Sequence, residues 1–178
     1  GVNPRFDKGL VLGAASIDGP SDMTKVQAAA TVTLTGDTAI QFQGTTLLIN
    51  NPSEGVFNQV MPTDQTIYVA DGNVTLAGGE VNGQLTIGTN RTIVINDSVT
   101  YACSPWRAEY DWDCRDGEGV VAYNDDVLGL VAQQNVLVAQ SAPSTMRVEA
   151  SVMAIDGTFT IQNLSSVPVK SFLAVYGG

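Results

Sequence analysis

Thr66–Ala102, TIYVADGNVTLAGGEVNGQLTIGTNRTIVINDSVTYA, decides how this chain folds. Five runs of β-forming residues lie within it: Thr66–Ala70, Asn73–Ala77, Gln84–Ile87, Arg91–Ile95 and Ser98–Ala102. Each is rich in Val, Ile, Leu, Thr and Tyr, which pack well on a pleated surface, and each is closed by Gly, Asn or Asp. No interval leaves room for a helix of ten or more residues. The connecting pieces are Asp71-Gly72, Gly78-Gly79, Asn82-Gly83, Thr89-Asn90 and Asn96-Asp97. Several of them suit hairpins. Strands of nearly equal length joined by such short corners also suit a solenoid that turns after every strand. The density of corners favours the solenoid over a β-sandwich, the competing all-β architecture, which spaces its turns about 8–12 residues apart.

Working outward, Thr31–Thr35, Ala39–Phe42 and Thr45–Ile49 continue the β pattern on the N-terminal side. In Thr31–Thr35 the two apolar residues, Val32 and Leu34, share one face and the three threonines the other. A flat Thr-X-Thr face repeated on successive coils can bind ice, but a single run is an ordinary solvated strand. Asn50–Asp64, with Pro52, Gly55 and Pro62, is expected to be a loop. Residues 1–30 read as an irregular lead-in, in which Ser21–Ala30 suits one or two helical turns capped by Ser21 or Asp22. On the C-terminal side, Val127–Ala132 is apolar enough for a strand buried on both faces. Asn135–Ala139, Met146–Ala154, Thr158–Asn163 and Ser171–Tyr176 complete the strands, split by Pro143 and Asp156-Gly157. The 178 residues suit one domain, residues 1–178.

Composition excludes several functions. With 8 Lys+Arg against 18 Asp+Glu, the net charge of −10 disfavours phosphate-rich partners, so neither nucleic acid nor an anionic membrane surface is expected to bind. The absence of His removes Ser-His-Asp and Cys-His triads and any His-ligated zinc. No run approaches the length of a membrane-spanning helix, and no secretory signal is visible. Because the chain begins at Gly1 without an initiator Met, it reads as a segment excised from a longer protein. Four Asn-X-Ser/Thr sequons, at Asn73, Asn90, Asn96 and Asn163, arise easily in so Asn- and Thr-rich a chain and carry no weight.

The concentrated chemistry lies in residues 103–119, CSPWRAEYDWDCRDGEG, which have the composition of a surface loop inserted at a corner. Cys103 and Cys114 suit a local disulfide in an oxidising compartment, contributing about 2–3 kcal/mol where strain is low. Unpaired thiols are the plain alternative. Glu109, Asp111, Asp113, Asp116 and Glu118 offer hard oxygen ligands, and Asp111, Asp113, Asp116 and Glu118 form the candidate calcium set. Against it, the order Asp-X-Asp-X-X-Asp-Gly puts Arg115 where a calcium loop needs its third ligand. No other cofactor is expected. Trp106, Tyr110 and Trp112 suit either a contact surface for protein or sugar, or a cap over an open end of the fold. An enzyme of the glycosidase or polysaccharide lyase type would need paired carboxylates, which Asp125 with Asp126, or Asp111 with Asp113, could supply. Adjacent acids are more often corner residues, and five Arg with three Lys do not make a basic cleft. The chain is therefore read as non-enzymatic.

The C-terminal half carries a resemblance. Leu128-Gly129-Leu130, Ala150-Ser151-Val152-Met153-Ala154, the Asp156-Gly157 corner and Tyr176-Gly177-Gly178 resemble motifs of the bacterial domain of unknown function 4900 family, often attached to PilX-like pilin N-termini. Ile67–Tyr101 is similar to the preceding coils of that family, so the likeness runs from near residue 66 onward. The family's frequent His-Thr-Asn-Gly segment has no counterpart in a chain without His. The resemblance implies a right-handed parallel β-helix displayed outside the cytoplasmic membrane by a pilin-like anchor. No catalytic residues come with it. The resulting expectation is an all-β, right-handed β-helix or β-solenoid with a disulfide-tied loop. It would serve as an extracytoplasmic structural or adhesive part, at the cell surface or in the periplasm, of a pilus-like or secretion-associated bacterial protein. Its partners would be other pilin-like or surface proteins, or surface glycans, and this segment itself would not touch the membrane. The runner-up is a secreted carbohydrate-active β-helix.

Titration calorimetry checks the calcium reading. Binding heat with a raised melting temperature is expected if residues 111–118 hold Ca²⁺, and neither is expected of a solvated acidic loop.

Overall fold

A computed structural model describes residues 21–61, 64–102, 126–163 and 172–176. The chain is mostly β, as its composition of β-branched residues requires. In chain order the strands are β1 (Val32–Thr35), β2 (Thr38–Gly44), β3 (Thr46–Asn51), β4 (Gly55–Val60) and β5 (Gln65–Ala70). There follow β6 (Val74–Val81), β7 (Gln84–Thr89), β8 (Ile93–Ile95), β9 (Val99–Tyr101) and β10 (Val127–Ala132). The last are β11 (Val136–Val138), β12 (Thr145–Glu149), β13 (Ser151–Ala154), β14 (Phe159–Ile161) and β15 (Phe172–Tyr176).

One sheet has the order β1-β5-β7-β10-β13 and is parallel throughout. The second runs β14-β11-β8-β6-β2-β3-β4, and it forks where the second half of β6 pairs with β9, which pairs in turn with β12 and then β15. Consecutive strands therefore rarely pair with each other; most pair with strands that lie farther away in the chain. Antiparallel ladders occur among the described residues in β2–β3 and β3–β4. A sandwich is built of antiparallel sheets, so the pairing departs from that alternative.

Register explains the core. Val74, Ile93 and Val136 stand in one row, and Leu76, Ile95 and Val138 in the next. Ile67, Ile87 and Leu130 face them from the first sheet, and all nine side chains are fully buried. Each strand contributes its alternate residues to this interior, which is the period-2 rule applied level by level. At the corners, polar side chains replace the ladder. Asp37 Oδ1 accepts the Asn73 N–H (2.8 Å), Asn73 Oδ1 accepts the Thr92 N–H (3.3 Å), and Asn135 Oδ1 accepts the Thr158 N–H (3.0 Å). These bonds satisfy backbone donors that leave the sheet as the chain turns.

Several sequence expectations are corrected. The expected loop Asn50–Asp64 contains β4, which closes a hairpin on β3. Asn51 makes the turn: its Oδ1 accepts the N–H groups of Ser53 and Glu54, and its Nδ2 donates to Thr35 O, tying the hairpin to β1. Gly78-Gly79 is not a turn between strands but a bend within β6, with φ of 86° and 115°. A Cβ on Gly79 would collide with the backbone oxygen of Phe42. Met146–Ala154 is two strands, broken at Ala150. Val127–Ala132 buries one face fully, whereas Val127 on the other is 50% exposed. The helix, α1 (Thr24–Ala28), begins after Met23, and the Thr24 N–H donates to Asp22 Oδ1 (2.9 Å). Hydrogen bonds from Thr24 hold the exposed Asp22 carboxyl below its ordinary pKa. Met23 and Val26 lie against Gly88, where any Cβ would meet them, so α1 covers the outer face of the first sheet.

Gly79→Ala combines backbone strain with a main-chain clash and is expected to cost on the order of 3 kcal/mol. Gly44→Ala, at φ 65° with open space around it, is expected to cost about 1 kcal/mol. Urea unfolding midpoints of the two variants check the difference.

Candidate functional site

The site begins with a difference in linker length. β8 and β9 are joined by Asn96–Ser98, whereas β11 and β12 are joined by residues 139–144, which include Pro143. The longer linker carries the start of β12 away from β9. The two strands share one register pair, Val148 with Val99, and the Arg147 N–H donates to Ser98 Oγ (3.1 Å) instead of to a backbone carbonyl. On the far side of β9, the bend in β6 brings the Gly79 N–H to Ser98 O (2.9 Å). A groove of about 570 Å³ opens along these strands, lined by Glu80, Asp97, Ser98, Thr100, Thr145 and Arg147 with Gly79 and Met146.

Carboxylates, hydroxyls and a guanidinium lining one groove supply both acceptors and donors, the set that polyhydroxylated ligands require. Among the described residues, no aromatic ring lines the groove.

Next to the groove stands a buried polar hub at the corner from which residues 103–125 depart. Tyr101 donates its backbone N–H to Glu149 Oε2 (2.7 Å), and its phenolic oxygen accepts the Leu128 N–H (3.2 Å). Tyr101 therefore joins β9 to β10 and β12. Burial pushes its phenol pKa upward, against the lowering effect of the Leu128 hydrogen bond, and the charges of Glu149 and Asp126 add to the rise. The phenol is thus kept neutral. Asp126 Oδ1 accepts the Gly83 N–H (2.7 Å), fixing the entry to β10 against the turn before β7. One member of the sequence-derived acid pair Asp125–Asp126 is thereby a corner residue, and Asp125 lies outside the described residues.

Sequence reasoning missed Glu149 and the groove. Glu149 left a signal: a single acid inside the β-forming run 146–154. It is buried and hydrogen-bonded. The groove left none, because it arises from the relative lengths of two linkers. A smaller hollow of about 210 Å³ lies by β5, β7 and β10, lined by Asp64, Gln65, Thr66, Gln84, Thr86 and Val127 with Leu85. There the buried Gln65 Oε1 has no hydrogen-bond partner among the described residues.

Cys103, Trp106, Glu109, Tyr110, Asp111, Trp112, Asp113, Cys114, Asp116 and Glu118 lie outside the described residues, so the disulfide, calcium and aromatic-surface expectations all fall there. Among the described residues, no three acidic, Cys or His side chains cluster as a metal site. No described helix is long and apolar enough to cross a membrane. No protein-family model, curated protein or solved structure matches the chain.

Tyr101→Phe removes the acceptor of the buried Leu128 N–H and is expected to cost about 1–3 kcal/mol. A phenol whose folded pKa is raised stabilises the fold fully below the unfolded value and loses that contribution as pH climbs through the folded value. Wild-type stability should therefore fall as pH rises above about 10, and Tyr101→Phe should fall less steeply. Urea titrations from neutral to strongly alkaline pH check both.

Proposed function

We propose that the chain is a right-handed parallel β-helix acting as a non-enzymatic structural or adhesive domain outside the bacterial cytoplasmic membrane. It would belong to a type IV pilus-like or secretion-associated protein. The observation that carries this reading is the row-by-row register of parallel strands, with Val74–Ile93–Val136 and Leu76–Ile95–Val138 as continuous apolar columns. Such columns make a stiff body whose length grows with the number of rounds and whose loops are free to vary. The acidic surface suits an extracytoplasmic protein that avoids nucleic acid, and the motifs shared with the domain of unknown function 4900 family favour a pilin-like anchor. The partners are other pilin-like or surface proteins, or surface glycans, met through the aromatic loop that holds Trp106, Tyr110 and Trp112.

A second reading, a carbohydrate-active β-helix, draws support from the polar groove. The carboxylates of Glu80 and Asp97 and the guanidinium of Arg147 line one volume of about 570 Å³. Glycoside hydrolysis asks for two such acids across one bond.

The native coding sequence upstream of Gly1 tests the anchor. A short basic leader followed by about 20 apolar residues supports the pilus-like assignment, and a cleavable signal ending at Gly1 overturns it. For the adhesive role, replacing Trp106 and Trp112 by Ala is expected to abolish binding to bacterial surface fractions while leaving the melting temperature unchanged. Loss of stability instead assigns those rings to a cap. Polysaccharide cleavage by the wild type that disappears in Asp97→Asn or Glu80→Gln would replace the structural reading with the enzymatic one.

A further inference from the structure

Three Asx-Gly pairs turn corners among the described residues: Asp71-Gly72, Asn82-Gly83 and Asp156-Gly157. In such a pair the side-chain carbonyl carbon and the next backbone nitrogen are one bond short of a five-membered ring. Glycine places no side chain in the way of that closure. Two of the pairs are locked. Asn90 Nδ2 donates to Asp71 Oδ1, and Asn90 Oδ1 accepts the Asp71 N–H, while Gln133 donates to Asp156 Oδ2. Their glycines pack on neighbouring backbone, Gly72 against Gly36 and Gly157 against Gln134. Asn82-Gly83, on the connection between β6 and β7, differs on each count. Asn82 is exposed, and among the described residues no hydrogen bond holds its carboxamide; only its backbone N–H is engaged, with Gly44 O (3.2 Å). A Cβ built on Gly83, at φ 133°, would meet nothing within 4 Å. The Gly83 N–H, which carries the nitrogen that would attack, donates to a carboxylate, Asp126 Oδ1, at 2.7 Å.

We propose that Asn82 is a self-modification site, cyclising onto the Gly83 nitrogen with Asp126 as the general base. The Gly83 nitrogen forms a bond to the Asn82 side-chain carbonyl carbon as its proton passes to the Asp126 carboxylate. The protonated Asp126 then returns that proton to the departing amide nitrogen. The carbon–nitrogen bond of the carboxamide breaks, and ammonia leaves a cyclic imide. Water opens the imide at either carbonyl, giving aspartate or isoaspartate at position 82. The two roles of the Gly83 nitrogen are compatible in space. Its N–H lies in the peptide plane, toward Asp126, while attack on the carbonyl carbon comes from above that plane. A carboxamide also suits the step better than the ionised carboxylates of the other two pairs, because it is uncharged and has ammonia to lose. The product changes the corner. Either form puts a new negative charge beside the Gly83 N–H that Asp126 holds, and like charges repel. The isoaspartate form also adds one backbone atom to the connection, outside the strands, so their register is kept. The contact that fixes the entry to β10 is therefore weakened while the buried rows stay in place.

Peptide mapping by mass spectrometry, on folded protein aged at neutral pH and body temperature, tests the proposal. Asn82 is expected to convert to aspartate and isoaspartate, while Asn135, whose side chain accepts the Thr158 N–H, stays intact. Asp126→Asn keeps an oxygen to accept the Gly83 N–H but cannot take up the proton. It is expected to slow the loss of Asn82 by about tenfold or more, with an unchanged circular dichroism spectrum. A synthetic peptide spanning residues 78–87, which lacks Asp126, is expected to react more slowly than the folded wild type. Full retention of Asn82 in the aged protein overturns the site. Equal or faster loss in Asp126→Asn overturns the base, and faster loss means that the carboxylate shields the corner. If Asp126→Asn fails to fold, the peptide comparison decides: a folded protein no faster than the peptide overturns the proposal.

Discussion

The constraint behind everything else is the parallel register. Strands that are neighbours in space sit about 4.8 Å apart, so an inward side chain rests directly on its register partner in each paired strand. A row can then accept only residues that stack on themselves without gaps. Val, Ile and Leu fill that role in Val74–Ile93–Val136 and Ile67–Ile87–Leu130. A polar or oversized residue in a row would disturb two levels at once, since interiors are close-packed and transmit strain. This is why Thr89, buried in such a row beside Val69 and Ala132, spends its hydroxyl on Gly72 O (2.6 Å).

The same close stacking governs the backbone at the corners. Connections that lie beside one another at strand spacing leave no room for a side chain projecting between them. Gly72 and Gly157 meet that demand by lacking a Cβ where the backbones of Gly36 and Gln134 pass. At other corners the short side chains of Asp37, Asn73 and Asn135 accept backbone N–H groups of the neighbouring corner and replace ladder bonds. Corners and core are thus two expressions of one spacing.

That distinction also determines what was legible in the sequence. Period-2 alternation and Gly/Asn/Asp punctuation locate most strands, because those signals are local. β4 escaped because Pro52, Gly55, Asn58 and Gln59 look like a loop, while its pairing depends on β3 and the Asn51 turn. The break at Ala150 escaped because a corner between strands needs no Gly or Pro when stacked neighbours enforce it. Gly78-Gly79 carried the opposite ambiguity: the residues announce positive φ but not whether the strand stops there. Of the site, Asp126 as a corner residue was legible. The groove and the Tyr101–Glu149 contact were not, since residues 48 apart meet only through the stacking.

Length variation is tolerated in the connections and not in the strands, because a residue inserted within a strand would slip every side chain to the other face. Two lengthened connections occur close together. Residues 103–125 leave after β9, and residues 139–144 leave before β12, the strand that lies against β9. Residues 139–144 lead into β12, whose Thr145, Met146 and Arg147 line the groove, and residues 103–125 hold the aromatic and acidic residues. Tyr101 stands between them, braced by Glu149 and Leu128, and holds the base of the longer connection to strands on either side. On the first sheet, by contrast, the outer face is partly covered by Met23 and Val26 of the N-terminal segment. The polar groove lies on the β6–β9–β12 side, built by strands whose inward rows stay apolar.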